Sequence, residues 1–245
     1  PPFFVIGAPR SGTTMLRDLL RRSARLACPE ETHYYRFAFP FGAPGFVNSV
    51  KMKLLQGHRE LDGVSEAEFD AMLAGAASRA DLHDRYMRAF VARNKPEARR
   101  WFDKTPQNVY GVLLMQAEFP ESAFVHIVRN PLNVVASLKV GKQIKVDDVR
   151  VACNFWHEAV TIIEAARPVL GDRLFELYYE DLTRDPVDQT GRLLRFVGED
   201  PDSIDAGAAG VRAERDAYRK VLAEDEIRIV RATCGSVAER YGYEL

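Results

Sequence analysis

A short segment near the start of the chain combines two glycines, an arginine and three hydroxyl side chains: Gly7-Ala-Pro-Arg-Ser-Gly-Thr-Thr14. An apolar run at residues 3–6 precedes it, and apolar side chains at helical spacing follow it up to Leu20. This pattern predicts a strand, a glycine-bearing turn and a helix. Such a turn directs backbone N–H groups toward one point at the positive end of a helix, so we expect a site for a phosphate-like anion.

The residue types in this loop do not match the phosphate loop of nucleoside triphosphatases. The position after the second glycine is Thr13, whereas nucleoside triphosphatases need a lysine there to hold the β- and γ-phosphates. The cation of the loop is Arg10, which lies before that glycine. Its planar guanidinium can form paired hydrogen bonds to a phosphate–sulfate bridge.

A second cation and hydroxyl follow the other strongly predicted strand, at residues 123–128. Arg129 comes directly after this buried-type run, and Ser137 lies about two helical turns further along, inside the helix that Pro131 is suited to start. A cation and a hydroxyl in this arrangement can face the same phosphate. Taken alone, Arg129 would more often form a surface salt bridge and Ser137 would bond its own helix backbone.

These motifs together resemble the sulfotransferases that use 3′-phosphoadenosine 5′-phosphosulfate (PAPS). Pro9-Arg-Ser-Gly-Thr-Thr14 is similar to their 5′-phosphosulfate loop, and Val128-Arg129-Asn130-Pro131 with Ser137 is similar to their 3′-phosphate motif. Further similar segments are Tyr178-Tyr-Glu-Asp-Leu182 with Asp185-Pro186, Leu193-Leu-Arg-Phe196 and the closing Glu239-Arg-Tyr-Gly-Tyr243. The resemblance covers nearly the whole chain.

The resemblance implies that PAPS is the co-substrate and that no metal is required, because arginine and lysine can neutralise the charge. It implies a nucleotide site made of Arg10, Ser11, Gly12, Thr13, Thr14, Arg129, Ser137, Tyr179 and Lys220. Tyr179 is expected to end a strand and to position the loop or the nucleotide. Lys220 follows Tyr218-Arg219, where relatives carry a tryptophan and a lysine.

The acceptor side requires a base for a hydroxyl proton and a cation for the developing charge. Cys28-Pro-Glu-Glu-Thr32 is similar to the Gly-Glu-Glu-Thr segment of tyrosylprotein sulfotransferases, which makes Glu31 the expected base. His33 is the rival base, and it stands where those enzymes have an arginine. Lys104 is the expected catalytic cation beside Arg10, since Lys104-Thr105-Pro106 keeps the lysine of the Lys-Thr-His segment of cytosolic sulfotransferases and loses its histidine.

The bulk composition indicates an ordinary globular protein. The 245 residues carry 34 basic and 35 acidic side chains and are 47% hydrophobic, which gives no overall attraction to nucleic acid or to anionic membranes. The three cysteines are odd in number and widely spaced, which argues against a disulfide framework or a zinc site. No apolar run approaches the roughly 20 residues of a membrane span. We expect a cytoplasmic protein whose start, at Pro1, was trimmed.

Short apolar strands alternating with helices predict an α/β fold, with a P-loop-containing, doubly wound parallel sheet flanked by helices. Residues 1–245 are expected to form a single sulfotransferase domain, in which residues 34–95 are a mostly helical lid or insertion. The expected activity is sulfuryl transfer to a phenolic, tyrosyl, sugar or small-metabolite hydroxyl. A P-loop kinase and a non-catalytic nucleotide-binding module remain the alternatives, and whether the chain forms a homodimer stays open.

Overall fold

The computed structural model describes residues 1–141, 144–207 and 216–245. In these residues, five parallel strands form one sheet in the order β2-β3-β1-β4-β5. The strands are β1 (Phe3–Gly7), β2 (Leu26–Ala27), β3 (Arg100–Lys104), β4 (Ala123–Val128) and β5 (Leu174–Tyr178). The strand order reverses at β1, between β3 and β4, and in open α/β sheets ligands bind at the carboxyl ends of the strands beside such a point. The predicted fold class is confirmed.

The helices lie on both faces of the sheet. They are α1 (Thr13–Leu20), α2 (Pro44–Val50), α3 (Lys53–Leu61), α4 (Glu66–Gly75), α5 (Arg79–Asn94), α6 (Val112–Glu118), α7 (Pro131–Lys139), α8 (Val149–Leu170), α9 (Tyr179–Arg184), α10 (Pro186–Phe196) and α11 (Glu224–Arg240). In the part of the chain that the structure describes, no helix is both long enough and apolar enough to cross a bilayer.

The central strand β1 is buried along its whole length. Side chains alternate between the two faces of a strand, so Phe3 and Val5 pack with α1 and α10, whereas Phe4 and Ile6 pack with α7, α8 and α11. A run that is apolar at every position therefore suits a strand covered on both sides. β1 ends at Gly7, and the loop that contains Arg10 and Gly12 follows it directly.

Residues 34–95 contain α2, α3, α4 and α5, and the predicted helix start at Ser65 is present: its side chain accepts a hydrogen bond from the N–H of Glu68. Asp62, between α3 and α4, ties this region to the rest of the chain. Its carboxylate accepts hydrogen bonds from the N–H of Glu30 at 2.9 Å and from the Tyr86 hydroxyl at 2.6 Å. The helical region is therefore attached to the segment that carries Glu31.

Two local predictions differ from the structure. The helix expected over residues 107–118 is a 3₁₀ helix over Pro106–Gly111 followed by α6. The two helices meet at Gly111, where the backbone carbonyl of Tyr35 leaves no room for a side chain. Tyr179 does not end a strand, because it is the first residue of α9. The acidic side chains Glu180 and Asp181 favour a helix start at that point.

Candidate active site

The loop after β1 has the backbone of an anion site. Arg10 and Gly12 adopt positive φ angles of 71° and 97°, and the N–H of Ser11 donates to the carbonyl of Ala8 at 3.2 Å. The loop then enters α1 at Thr13 with no side chain capping the helix. The first N–H groups of a helix have no intrahelical partner, so those of α1 can bind an anion.

Gly12 is required here for two separate reasons. Its φ of 97° is unfavourable for any residue with a side chain, and a Cβ atom would lie 2.5 Å from Cδ2 of Tyr179. The ring of Tyr179 therefore packs directly against Gly12, and a larger residue at position 12 would displace the ring. The second glycine of the motif and the tyrosine after β5, which are far apart in sequence, form one structural unit.

A cavity of about 330 Å³ opens at this loop. Its lining includes most of the side chains predicted for the nucleotide and several that the sequence did not single out. The complete lining is Pro9, Arg10, Gly12, Thr13, Thr14, Met15, Glu31, Pro106, Gln107, Arg129, Ser137, Ile144 and Tyr179. Gln107 follows the Lys-Thr-Pro segment directly, so its place after β3 was a signal that could have identified it.

The two predicted ends of the nucleotide site meet in this cavity. Nε of Arg10 donates to Oγ of Ser137 at 2.9 Å, and Nη1 of Arg129 donates to the carbonyl of Arg10 at 3.2 Å. The guanidinium of Arg129 also lies 4.2 Å from the ring centroid of Tyr179. Arg129 is 5% exposed, and the indole N–H of Trp156 donates to its backbone carbonyl at 2.9 Å. The cavity therefore has two cations, the buried Arg129 and the more exposed Arg10.

Two predicted nucleotide ligands do not line the cavity. Oγ of Ser11 is buried and has no hydrogen-bond partner among the described residues. Lys220 is exposed on a 3₁₀ turn over Ala217–Lys220, and neither it nor Arg219 lines a cavity with the loop residues. Their roles in nucleotide binding stay predictions.

Glu31 and Lys104 form an ion pair at the edge of this cavity. Lys104 ends β3 and is 2% exposed, its Nζ donates a short hydrogen bond to Oε1 of Glu31, and it lies 3.4 Å from Oγ1 of Thr14. Nε2 of His33 lies 3.2 Å from Oε2 of Glu31. Both carboxylate oxygens are therefore held, and Lys104 connects the carboxylate to the anion loop.

The two adjacent glutamates have different surroundings. Glu30 pairs with Arg17 of α1 at 2.7 Å and with Arg21, the residue directly after α1, at 3.3 Å. Its backbone N–H is held by Asp62. These contacts direct Glu30 to the α1 side, while Glu31 faces the cavity.

A buried carboxylate holds the Glu31 segment against β3. Asp103 accepts hydrogen bonds from the hydroxyls of Thr32 at 2.6 Å and Thr105 at 2.7 Å, and from the amide of Asn108 at 3.2 Å. Asp103 and Thr32 directly adjoin Lys104 and Glu31 in sequence. The network therefore holds the backbone segments of Glu31 and Lys104 at a fixed distance from each other.

A second cavity, of about 410 Å³, lies on the other side of Glu31. It is lined by Thr14, Arg17, Glu30, Glu31, His33, Arg36, Leu54, His58, Lys104, Gln107, Ile144 and Phe155. Thr14, Glu31, Gln107 and Ile144 line both cavities. His58, which the sequence did not identify, holds the backbone carbonyl of Glu31 through Nδ1 at 2.8 Å. Glu31 thus stands on the wall that separates an anion cavity from a mixed polar and apolar one.

The surroundings of Glu31 keep it ionised. Burial alone would raise the pKa of its carboxyl, but the hydrogen bond with His33 and the charge and hydrogen bond of Lys104 lower it to about 2. The ionised carboxylate therefore stabilises the fold above pH 4.5, and this contribution is lost as the pH falls from 4.5 toward 2.

We expect Glu31→Gln to lower the free energy of unfolding at pH 7 by on the order of 3 kcal/mol, because buried Lys104 loses its counter-charge. The deficit relative to the unmodified protein should shrink toward pH 3, because below pH 4.5 the glutamate of the unfolded chain takes up a proton, which favours unfolding of the unmodified protein. Urea unfolding followed by circular dichroism from pH 7 to pH 3 measures both values. The matched control is Glu176→Gln on β5. Burial would raise the pKa of the Glu176 carboxyl, but His126 and Arg167 lower it to about 2. A deficit for Glu31→Gln that does not change with pH would contradict the assigned pKa.

A parallel sheet with a glycine-bearing anion loop and a cationic cavity at its switch point defines a P-loop-containing nucleotide-binding protein. The model of the sulfotransferase family matches residues 1–203, and the chain therefore belongs to that family. The family predicted from the motifs is confirmed.

The chain is similar to known proteins over most of its length. It is 30% identical over 204 residues to an uncharacterised protein of Aquifex aeolicus, covering 80% of this chain and 25% of that protein. It is 24% identical over 204 residues to protein-tyrosine sulfotransferase 2 of Gallus gallus, covering 81% of this chain and 51% of the relative. The chain thus spans a quarter to a half of the length of these curated relatives.

Solved structures share the fold. The sulfotransferase domain of the Synechococcus PCC 7002 olefin synthase superposes with a TM-score of 0.73 at 21% identity, covering 100% of this chain and 95% of that domain. The sulfotransferase domain of the curacin biosynthetic pathway gives a TM-score of 0.64 at 19% identity, covering 100% and 99%. The described chain therefore has the fold of a sulfotransferase domain.

Proposed function

We propose that this chain transfers a sulfuryl group from PAPS to a hydroxyl group of an acceptor. The observation that carries the proposal is the position of Glu31, which lines both cavities and pairs with Lys104 beside Thr14 of the anion loop. A base next to an acceptor cavity and a cation next to an anion site are the two groups that this transfer needs.

The first cavity suits the donor nucleotide. Arg10 and the loop residues through Thr14 offer N–H groups and hydroxyls for the phosphosulfate, and Arg129 with Ser137 offers a cation and a hydroxyl for the 3′-phosphate. Among the described residues that line this cavity, Glu31 is the only carboxylate. The cavity therefore favours a ligand that carries several negative charges.

Glu31 accepts the proton of the acceptor hydroxyl as the hydroxyl oxygen forms a bond to sulfur. The bond between sulfur and the bridging phosphate oxygen breaks, and its electron pair leaves with 3′-phosphoadenosine 5′-phosphate (PAP). Lys104 and Arg10 neutralise the charge that develops on the sulfuryl group and the leaving oxygen. Among the described residues, no group of three or more His, Cys, Asp or Glu side chains is arranged to bind a metal ion.

The acceptor is a hydroxyl compound that fits the second cavity. The similarity to protein-tyrosine sulfotransferase 2 of Gallus gallus supports a phenolic or tyrosyl hydroxyl. His33 is assigned a supporting role, because its ring is held against the Glu31 carboxylate.

Calorimetry with PAP in EDTA, and separately with ATP and Mg²⁺, tests the donor site. We expect tight PAP binding without metal, and Arg10→Ala should weaken it about tenfold or more, since one charge-assisted contact is lost. Arg22→Ala, an exposed arginine on the turn after α1, is the control. ATP binding that requires Mg²⁺, with no PAP binding, would favour a kinase.

Transfer is tested by incubating labelled PAPS with a panel of phenolic, sugar and peptide hydroxyl compounds and measuring the mass gain of the acceptor. A gain of one sulfuryl group with release of PAP is expected. Binding of PAP with no transfer to any acceptor in the panel would indicate a non-catalytic nucleotide-binding module.

A further inference from the structure

The charges around the second cavity are paired with one exception. Arg17 pairs with Glu30 at 2.7 Å, and Lys104 pairs with Glu31. Both carboxylates that line the cavity are therefore already engaged by cations. Arg36 is the remaining arginine on the cavity wall, and it forms no ion pair with any described residue, although the charge of Glu31 acts on it from a distance.

The side chain of Arg36 has no ion-pair or hydrogen-bond partner among the described residues. Its guanidinium lies 4.9 Å from the ring centroid of the neighbouring Phe37. The side chain is half-buried, and burial lowers its pKa, opposed by Tyr110 and Glu31. Taking a guanidinium partly out of water without a partner costs free energy. A ligand anion would offset that cost.

The backbone around Arg36 is fixed relative to Glu31. The N–H of Arg36 donates to the carbonyl of His33 at 3.2 Å, and the N–H of Tyr35 donates to Oδ1 of Asn108 at 3.0 Å. The rings of Tyr34 and Tyr35 are buried. The guanidinium is therefore carried on an anchored turn five residues after the base, rather than on a loose surface loop.

Part of the cavity wall is apolar. Leu54, Ile144 and Phe155 line it, and Leu54 is 53% exposed at its rim. A volume of about 410 Å³ is in the range of sites that bind small molecules. The cavity therefore combines a base, one unpaired arginine and an apolar wall.

We propose that the acceptor is a small hydroxylated carboxylate, with Arg36 binding the carboxylate while the hydroxyl meets Glu31. The proposal rests on the sulfuryl transfer described above. A planar guanidinium binds a carboxylate through two parallel hydrogen bonds, so Arg36 orients the acceptor as well as attracting it. Arg36 is thus a residue that determines acceptor specificity.

Matched acceptors test this assignment. In the presence of PAP, calorimetry compares 4-hydroxyphenylacetate with the neutral 4-hydroxyphenylacetamide, and PAPS turnover compares kcat/KM for the same pair. The unmodified protein should prefer the acid. Arg36→Gln should weaken binding and kcat/KM for the acid by about 10–100-fold and leave the amide unchanged, because a hydrogen bond to a charged group is lost. Arg36→Lys should recover part of the preference.

Controls separate this proposal from the proposed activity. Arg22→Gln, which removes an exposed arginine away from both cavities, should keep the full preference. The PAP affinity of Arg36→Gln should match that of the unmodified protein, and its unfolding temperature should be equal or higher, because a half-buried charge without an ion-pair partner is removed. Acid-selective binding that depends on Arg36 supports the assignment even if no sulfuryl group is transferred, in which case the proposed activity fails alone. Equal binding of acid and amide, or selective binding of tyrosine peptides flanked by acidic residues with no binding of the small acid, would overturn it.

Discussion

Glu31→Gln should lower kcat for sulfuryl transfer by about 10²–10⁴-fold, the usual contribution of a general base. The amide keeps the shape of the side chain and its place between the two cavities, but it cannot accept the proton of the acceptor hydroxyl. PAP affinity should be unchanged or higher, since a negative charge is removed from the wall of an anion cavity. Single-turnover kinetics with labelled PAPS, together with PAP calorimetry, measure the two effects.

The control is Glu176→Gln, which removes an ionised carboxylate on β5 whose partners are His126 and Arg167. It should keep normal turnover. His33→Asn tests the rival base, and asparagine tolerates the positive φ of 55° at this position. If His33→Asn abolished transfer while Glu31→Gln left it near normal, the roles of the two residues would have to be exchanged.

Lys104→Met should lower kcat by about 10²–10³-fold, because it removes a fixed charge from the place where negative charge develops. Methionine has a similar length and is apolar, which suits a side chain that is 2% exposed. The loss also removes a hydrogen-bond donor from Glu31, so the pKa of that carboxyl should rise toward its ordinary value. A pH–rate profile that shifts upward in its acidic limb, alongside the lower kcat, is the expected signature.

Lys95→Met is the matched control. Nζ of Lys95 donates to the backbone carbonyl of Arg21 at 2.8 Å and also contacts that of Ser23, so its loss weakens the fold without touching either cavity. Turnover per folded molecule should stay normal. Normal turnover of Lys104→Met would show that Arg10 and the loop N–H groups neutralise the charge without it.

The sequence could predict that Arg10, Arg129 and Ser137 lie together in one cavity, because the determinants of their positions are local. The loop after β1, Arg129 after β4 and Ser137 in the next helix are each defined by a buried strand and the residues that follow it. Parallel strands bring their carboxyl ends to one edge of a sheet, so strand pattern alone places such residues together. The contact between Arg10 and Ser137 is the result.

Ser11 and Lys220 differ from the other predicted nucleotide ligands, because neither lines the first cavity. Ser11 has a residue type suited to binding phosphate, but the turn directs its hydroxyl into the interior. Lys220 is predicted only from the resemblance to relatives that carry a tryptophan and a lysine in this segment, and the structure places it on the surface, in the turn over Ala217–Lys220. Neither side-chain direction is encoded in residue type or spacing.

The sequence by itself determined the parallel sheet, the anion loop, the missing nucleoside triphosphatase lysine and the identity of Glu31 and Lys104 as candidates. Only the tertiary structure decided which of two adjacent glutamates lines the first cavity, because the choice depends on Arg17, Arg21 and Asp62, which lie elsewhere in the chain. It also decided that Arg36 is left unpaired among the described residues. Strand and helix periodicity arise from neighbouring residues, whereas the pairing of charges depends on contacts between elements that are distant in the chain.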